Sequence, residues 1–251
     1  MSALTRLSAR AIEAIRVNTV TRATRQGRPV IEKRRRLLHT ALFPPGNLFL
    51  RLSRSHIHMW TSPAAWIAHE LDSFARLHGP ERVCGPLPRG LYTEVLPGRG
   101  LRALLAESPG PEVARAVARE LRRAHALRDD QGAPWSHGDL HLDNVLFDGE
   151  RAWLIDFETR HRPDTPAVAR HADDLLVLLL DAMGLSSGWA TFAAPLLQTY
   201  ADPAVLRALA ARLTPPTGLE AVLWSVRTHH MDRARLRAAL ERLREVVDAG
   251  G

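Results

Sequence analysis

The stretch "HGDLHLDNVLFDGERAWLIDFE", His137 to Glu158, sets six acidic side chains and two histidines around two short apolar runs. Carboxylates beside an apolar core are costly unless a cation, a metal ion or a dense set of hydrogen bonds compensates them. The chain must therefore bury Val145, Leu146, Trp153 and Ile155 while the acids at the ends of these runs meet something charged. "NVLF" and "AWLI", joined by "DGE", form a hairpin signal. In an antiparallel hairpin the residue before the first strand lies beside the residue after the second, so Asn144 and Asp156 become neighbours. Two hard oxygen donors side by side make a Mg²⁺ site. Asp139, five residues ahead of Asn144, reaches the same place from the preceding loop without having to be a ligand.

The rest of the chain divides around this hairpin. "TVTRATRQGRPVIEKRRRLL" alternates about an "RQGRP" turn and predicts a hairpin with Lys33 on its second strand. "FPPGN" then predicts a break before a further extended stretch, "LFLRLS". "TSPAAWIAHELDSFARLHG" is a helix, with Ser62 as N-cap, Pro63 at its first position and Gly79 beyond its end. Its apolar face is Ile67, Leu71, Phe74 and Leu77, with Glu70 on or beside it. A half-buried glutamate wants a cation; the alternative is an exposed polar position. "GLYTEVLPGRG" reads as a short strand running into a linker. "PEVARAVARELRRAHALRDD" is an amphipathic helix with Val113, Val117, Leu121 and Ala124 on one stripe. From Arg170 onward the pattern is helix after helix. The fold class is α+β, a small antiparallel β-rich part with one helix over residues 1–96 and a mostly helical part over 97–251.

At 251 residues and 45% apolar content the chain can fill a large core. Cys84 is the only cysteine, which excludes an internal disulfide and a multi-cysteine zinc site. No run approaches the roughly 18 to 20 apolar residues that span a bilayer, and the N-terminus interrupts its apolar residues with Arg and Glu, so a cytoplasmic location is expected. The formal charge of +7 favours an anionic partner: nucleotide, phosphorylated sugar, a glycolipid at the inner face of the membrane, or nucleic acid. That charge is carried by 33 arginines and one lysine, Lys33. Where arginine is written almost everywhere, the single lysine marks a position needing a compact point charge rather than a planar fork.

"HGDLHLDN" followed by "IDF" resembles the catalytic loop and metal-binding strand of the protein-kinase-like phosphotransferases. The closer resemblance is to their compact bacterial branch: lipopolysaccharide core sugar kinases, aminoglycoside and choline-type kinases, and RIO-type kinases, where HGD stands for HRD. The likeness runs from about Thr19 to Leu180. It implies a bilobal fold, ATP and Mg²⁺ as cofactors, and transfer of the γ-phosphate to a hydroxyl. It makes Asp139 the base that orients the acceptor, and Asn144 and Asp156 the metal ligands. Lys33 becomes the lysine holding the α- and β-phosphates, with Glu70 as its helix partner. In "TEVLPG" the backbone around Glu94, Val95 and Leu96 would bond the adenine ring. His137 would support the loop by hydrogen bonding. Asp174 rather than Asp173 would brace it from below, a simple charge at the helix N-terminus being the alternative.

Three departures shape the expectation. No glycine-rich loop precedes Lys33, since "NTVTRATRQG" offers only Gly27 at the turn. Glu158 stands where protein kinases have the glycine of DFG and adds a carboxylate near a second metal position. Fewer than twenty residues separate Asp156 from the following helix, too few for a protein-kinase activation segment, which favours a small-molecule or glycan acceptor. Two other readings compete. His137, His141, Asp139 and Asp143 alternate as the ligands of a metallohydrolase could, and the absent glycine loop suits a nucleotide-binding pseudokinase scaffold. The first does not explain Lys33, Glu70, Asp139, Asn144 and Asp156 together, and against the second every proton- and metal-handling residue is retained.

Overall fold

The computed structural model describes residues 18–35, 43–129, 132–185 and 188–250. Strands β1 (Asn18–Arg25) and β2 (Arg28–Arg35) form the expected hairpin. Its two-residue turn, Gln26 and Gly27, has positive φ at both positions, as the tight turns that match strand twist require. With β4 (Cys84–Leu87) and β5 (Gly90–Glu94) these strands make an antiparallel sheet in the order β1-β2-β5-β4. Lys33 thus stands on an interior strand, opposite Val20 on one side and Leu91 on the other.

Two expectations for this part are corrected. "LFLRLS" is not extended: Phe43–Leu52 is a helix, α1, so the sheet carries two helices instead of one. Pro44 and Pro45 occupy its first turn, where a missing N–H costs nothing, and Phe43 and Asn47, four apart, are its buried pair. The short apolar run suited either period, and the helix won by packing. The second correction concerns α2 (Pro63–His78). It is capped as expected, Ser62 accepting from the Ala65 N–H, but its buried face is Trp66, Glu70, Ser73, Phe74 and Leu77, with Ile67 and Leu71 only half-buried. Trp66 turns the helix: its ring lies 4.4 Å from the Arg35 guanidinium.

Beyond the short strand β6 (Arg99–Gly100), the chain is mostly helical. Helices α3 (Leu101–Ala106) and α4 (Pro111–His125) precede a hairpin of β7 (Val145–Phe147) and β8 (Ala152–Leu154), which pairs with β6. Val145 faces Leu154 across it, which is one residue off the expected register: Asn144 stands opposite Ile155, whose N–H its carbonyl accepts at 3.0 Å, and Asp156 follows one step beyond. Helix α5 (Ala167–Leu185) is buried almost all round, from Arg170 to Met183, and forms the centre of this part. Helices α6 (Trp189–Tyr200), α7 (Pro203–Arg212), α8 (Gly218–Arg227) and α9 (Arg233–Gly250) surround it. Leu121, Leu140, Leu142, Leu154, Leu175 and Leu179 are fully buried in one core. One further pairing ties the two parts together: β3 (Ile57–Met59), just ahead of α2, is antiparallel to β9 (Thr159–His161), just after Asp156. Among the described residues no helix is long and apolar enough to cross a membrane.

Two histidines in this interior should give the fold an acid limb. His78 donates from Nε2 to the Leu154 carbonyl at 2.8 Å, and burial pushes its pKa down to about 4. His171 donates to the Trp135 carbonyl, and burial, with His125 stacked on it at 3.9 Å, does the same to it. Between about pH 6.5 and 4 the unfolded chain binds protons at both positions and the folded chain does not, so stability falls as pH falls through that window and levels off below it. Each contributes roughly 3 kcal/mol at most. Denaturant melts at pH 7, 5.5 and 4 should show this slope in wild type and a shallower one in His78→Gln. A flat profile in wild type would sink the assignment.

Candidate active site

The lone lysine lies between three carboxylates. Lys33 is 8% exposed; its Nζ bonds Glu70 Oε1 and, at 2.7 Å, Asp156 Oδ1. Burial alone would lower its pKa, but Asp156, Glu70 and Glu158 outweigh burial and hold it charged. Glu70, 1% exposed, is fixed from the other side by the Trp66 Nε1–H, which donates to Oε2 at 2.7 Å. The exposed alternative for Glu70 therefore falls. Trp66 itself escaped the sequence reading, although its position four residues before Glu70 puts the two on one helix face.

Asp156 sits at the end of the hairpin with φ of 69°, in the left-handed region that a non-glycine residue adopts at a cost. Burial raises its pKa and Lys33 more than reverses this, so it is ionised. Desolvation of the half-buried Glu158 carboxyl, with the Asp156 charge beside it, pushes Glu158 up to about 8. Glu158 also accepts from Asn18 Nδ2, which fastens β1 to this segment. Three carboxylates share one cation, Lys33.

The loop carrying Asp139 is held at both ends by aspartates of α5. Asp174 accepts the His137 N–H at 2.8 Å and the Gly138 N–H at 2.9 Å, and also the His125 Nε2–H at 3.1 Å. Burial would raise its pKa, yet the histidines around it hold it down to about 2. It is the brace the sequence suggested. Asp173 points elsewhere, to His161 Nε2 at 3.2 Å and to Arg212, and so anchors β9. The other end was not foreseen: Asp181 accepts the Leu142 N–H at 2.8 Å and pairs with Arg102, which also holds Asp143. An acid seven residues after Asp174, within "LLVLLLDAM", lies on the same helix face and was the available signal.

His137 has the supporting role expected of it. Its Nε2–H donates to the Ile155 carbonyl at 3.0 Å, which leaves Nδ1 to accept the Asp139 N–H at 3.4 Å. Gly138 has φ of 87°, and a Cβ there would meet the Arg160 backbone at 3.0 Å, so the position requires glycine. Asn144 donates from Nδ2 to the Asp139 carbonyl at 2.9 Å, and its own carbonyl accepts the Ile155 N–H at 3.0 Å. These contacts bring Asp139, Asn144 and the strand end before Asp156 together and leave Asn144 Oδ1 as its remaining donor. An amide oxygen on Asn144 and a carboxylate on Asp156 are the hard oxygen donors that Mg²⁺ takes, so the residue types fit that ion.

The hinge differs from its reading. The Glu94 carboxylate is a clamp, accepting from Arg82 at 2.7 Å, Arg28 at 2.9 Å and the Val83 N–H at 3.0 Å. Desolvation would raise its pKa, and these donors hold it down to about 2. The Glu94 N–H bonds the Val83 carbonyl and the Val95 N–H bonds the Pro29 carbonyl. Leu96 remains, the one amide of the three without a backbone partner among the described residues. Among those residues no three His, Cys, Asp or Glu side chains gather as a metal site, and Asp143 is spent on Arg102, so the hydrolase cluster does not assemble. Of the arginines near these segments, Arg34 pairs with Glu32 at 3.2 Å, Arg160 lies over Trp60 and Arg162 meets Asp164.

The model of the phosphotransferase enzyme family matches residues 64–209, more than half of the chain. A search of curated proteins returns no match. Similar solved structures include the bifunctional kinase-methyltransferase WbdD, at 17% identity and a TM-score of 0.38, over 86% of this chain and 41% of that one. They also include the MAP kinase LMAMPK10 from Leishmania major, at 14% identity and a TM-score of 0.36, over 94% of this chain and 81% of that one. This chain thus spans less than half the length of WbdD.

Proposed function

The chain belongs to the phosphotransferase enzyme family, and on that premise we propose that it is an ATP- and Mg²⁺-dependent kinase acting on a hydroxyl of a small molecule or a glycan sugar. The observation that carries this is the convergence of Lys33, Glu70 and Asp156 in one ion-paired cluster, with Asn144 tied to the loop of Asp139. Nucleotide sits between the sheet and the helical part, which divide near Leu96, and the Leu96 backbone is the hinge group that meets adenine. Lys33, oriented by Glu70, holds the α- and β-phosphates. Asn144 and Asp156 hold Mg²⁺, which when bound neutralises charge on the phosphates. Asp139 orients the acceptor hydroxyl and takes its proton as the oxygen bonds to the γ-phosphorus and the bond to the ADP oxygen breaks. Positioning and charge neutralisation carry the rate.

The acceptor follows from the short path after Asp156. Residues 157–166 comprise β9 and one turn before α5 begins at Ala167, and β9 is spent on β3. A protein substrate finds no long segment to dock on. A sugar, free or on a glycolipid at the inner face of the membrane, needs none, and a cytoplasmic location goes with either. Incubating purified protein with γ-labelled ATP and lipopolysaccharide fractions, sugars, small alcohols or no acceptor tests the class. Label on a sugar-bearing fraction supports the proposal, and label confined to protein contradicts it.

A further inference from the structure

A cavity of about 490 Å³ lies between α1 and the segment that follows Asp156. Its walls include Asn47, Leu48 and Arg51 of α1, His58 of β3, and Arg160 and Arg162 in and after β9. These walls are fastened to one another. Asn47 spends both ends of its amide on Met59, Nδ2 donating to the carbonyl at 3.0 Å and Oδ1 accepting the N–H at 2.8 Å. β3 is paired with β9, His58 facing Arg160 across the ladder. The Arg160 guanidinium is laid over the Trp60 ring, 4.1 Å from its centroid, and Arg162 is held by Asp164 at 3.2 Å.

The chemistry of the lining selects a ligand. Three arginines face the cavity against one carboxylate, Asp164, whose side chain is 72% exposed and screened by water. Guanidinium forks match the oxygens of a phosphate. His58 is kept neutral by burial and by Arg160, so its imidazole can give or take one hydrogen bond from a hydroxyl. The volume lies within the roughly 300 to 1,000 Å³ of small-molecule sites. The place is close to the chemistry as well: the Arg160 backbone runs so near Gly138, the residue before Asp139, that a Cβ there would meet it at 3.0 Å.

We propose that this cavity is the acceptor subsite and that it takes an acceptor bearing a phosphomonoester beside the hydroxyl to be phosphorylated, a sugar phosphate in class. The proposal rests on the kinase reading above, and the test separates the two. Wild type and the double variant Arg51→Gln/Arg162→Gln, each saturated with Mg²⁺ and a non-hydrolysable ATP analogue, are titrated calorimetrically with inorganic phosphate, glycerol 3-phosphate and glucose 6-phosphate, and with glycerol and glucose. Wild type binds phosphomonoesters, more weakly as salt is added, and does not bind the neutral alcohols. The variant, shown by its melting curve to be folded and by the analogue to bind nucleotide, binds them about tenfold less tightly, the scale of losing charge-assisted hydrogen bonds. Equal binding by the two proteins, or no phosphomonoester bound by wild type, overturns the proposal. Failure of the analogue to bind counts against the kinase reading instead, and the phosphate titrations then still report on the cavity.

Discussion

Asp139→Asn is expected to turn over ATP on the order of 10² to 10⁴ times more slowly than wild type, the usual contribution of a positioned acid or base, while binding nucleotide almost unchanged. The separation follows from how Asp139 is attached. Its carbonyl accepts from Asn144 Nδ2 and from the His141 N–H, and its own N–H meets His137, so its ties to the loop run through the backbone and survive the substitution. The loop is held from Asp174 and Asp181, neither of which the change touches. What is lost is a carboxylate that accepts a proton; the amide that replaces it has similar shape and cannot. Steady-state turnover with an identified acceptor, beside MgATP titration, checks both halves. Wild-type turnover would remove Asp139 from the reaction.

Lys33→Ala and Lys33→Arg should be nearly equal in damage, each losing on the order of 10²-fold or more in turnover. Lys33 Nζ occupies a point between Glu70 and Asp156, and only 8% of the residue reaches solvent. A compact ammonium reaches both oxygens from one place; a planar guanidinium has its donors spread over a fork and cannot do so without moving α2 or the hairpin. Lys33→Ala should also destabilise the fold, because it leaves Glu70, 1% exposed, without its cation, and losing one partner of a buried pair costs about 3 to 5 kcal/mol. Turnover of both variants and their thermal unfolding decide the matter. Near-normal turnover in Lys33→Arg would show that the position needs charge alone.

The residues that handle charge could be read from the chain because each left a mark that packing cannot erase. The lone lysine, the glutamate on an apolar helix face, and the acids flanking "NVLF" and "AWLI" are where the structure brings them together. Contacts set by tertiary packing left no such mark. "LFLRLS" reads as extended, and it is helical because packing, with Asn47 bonded to Met59, overrides the local pattern. The face of α2 turned because Trp66 found Arg35 and Glu70. At the hinge, the Glu94 and Val95 amides were committed to Val83 and Pro29, partners distant in sequence that no local pattern announces. Arg102 reaches Asp143 and Asp181 across 41 and 79 positions, beyond any periodicity.

Calorimetric titration of ATP into wild type and Asp156→Asn, with and without Mg²⁺, asks most directly whether these carboxylates serve a nucleotide. Asp156 is paired with Lys33, and Asn144 is tied to the Asp139 loop; if the two hold a metal with the phosphates, wild type should bind ATP appreciably only with Mg²⁺. Asp156→Asn should lose that metal dependence together with about tenfold or more in affinity. Wild type that binds no ATP in the presence of Mg²⁺, or binds it equally with the metal removed, would contradict the assignment and leave the cluster as a structural ion-pair network.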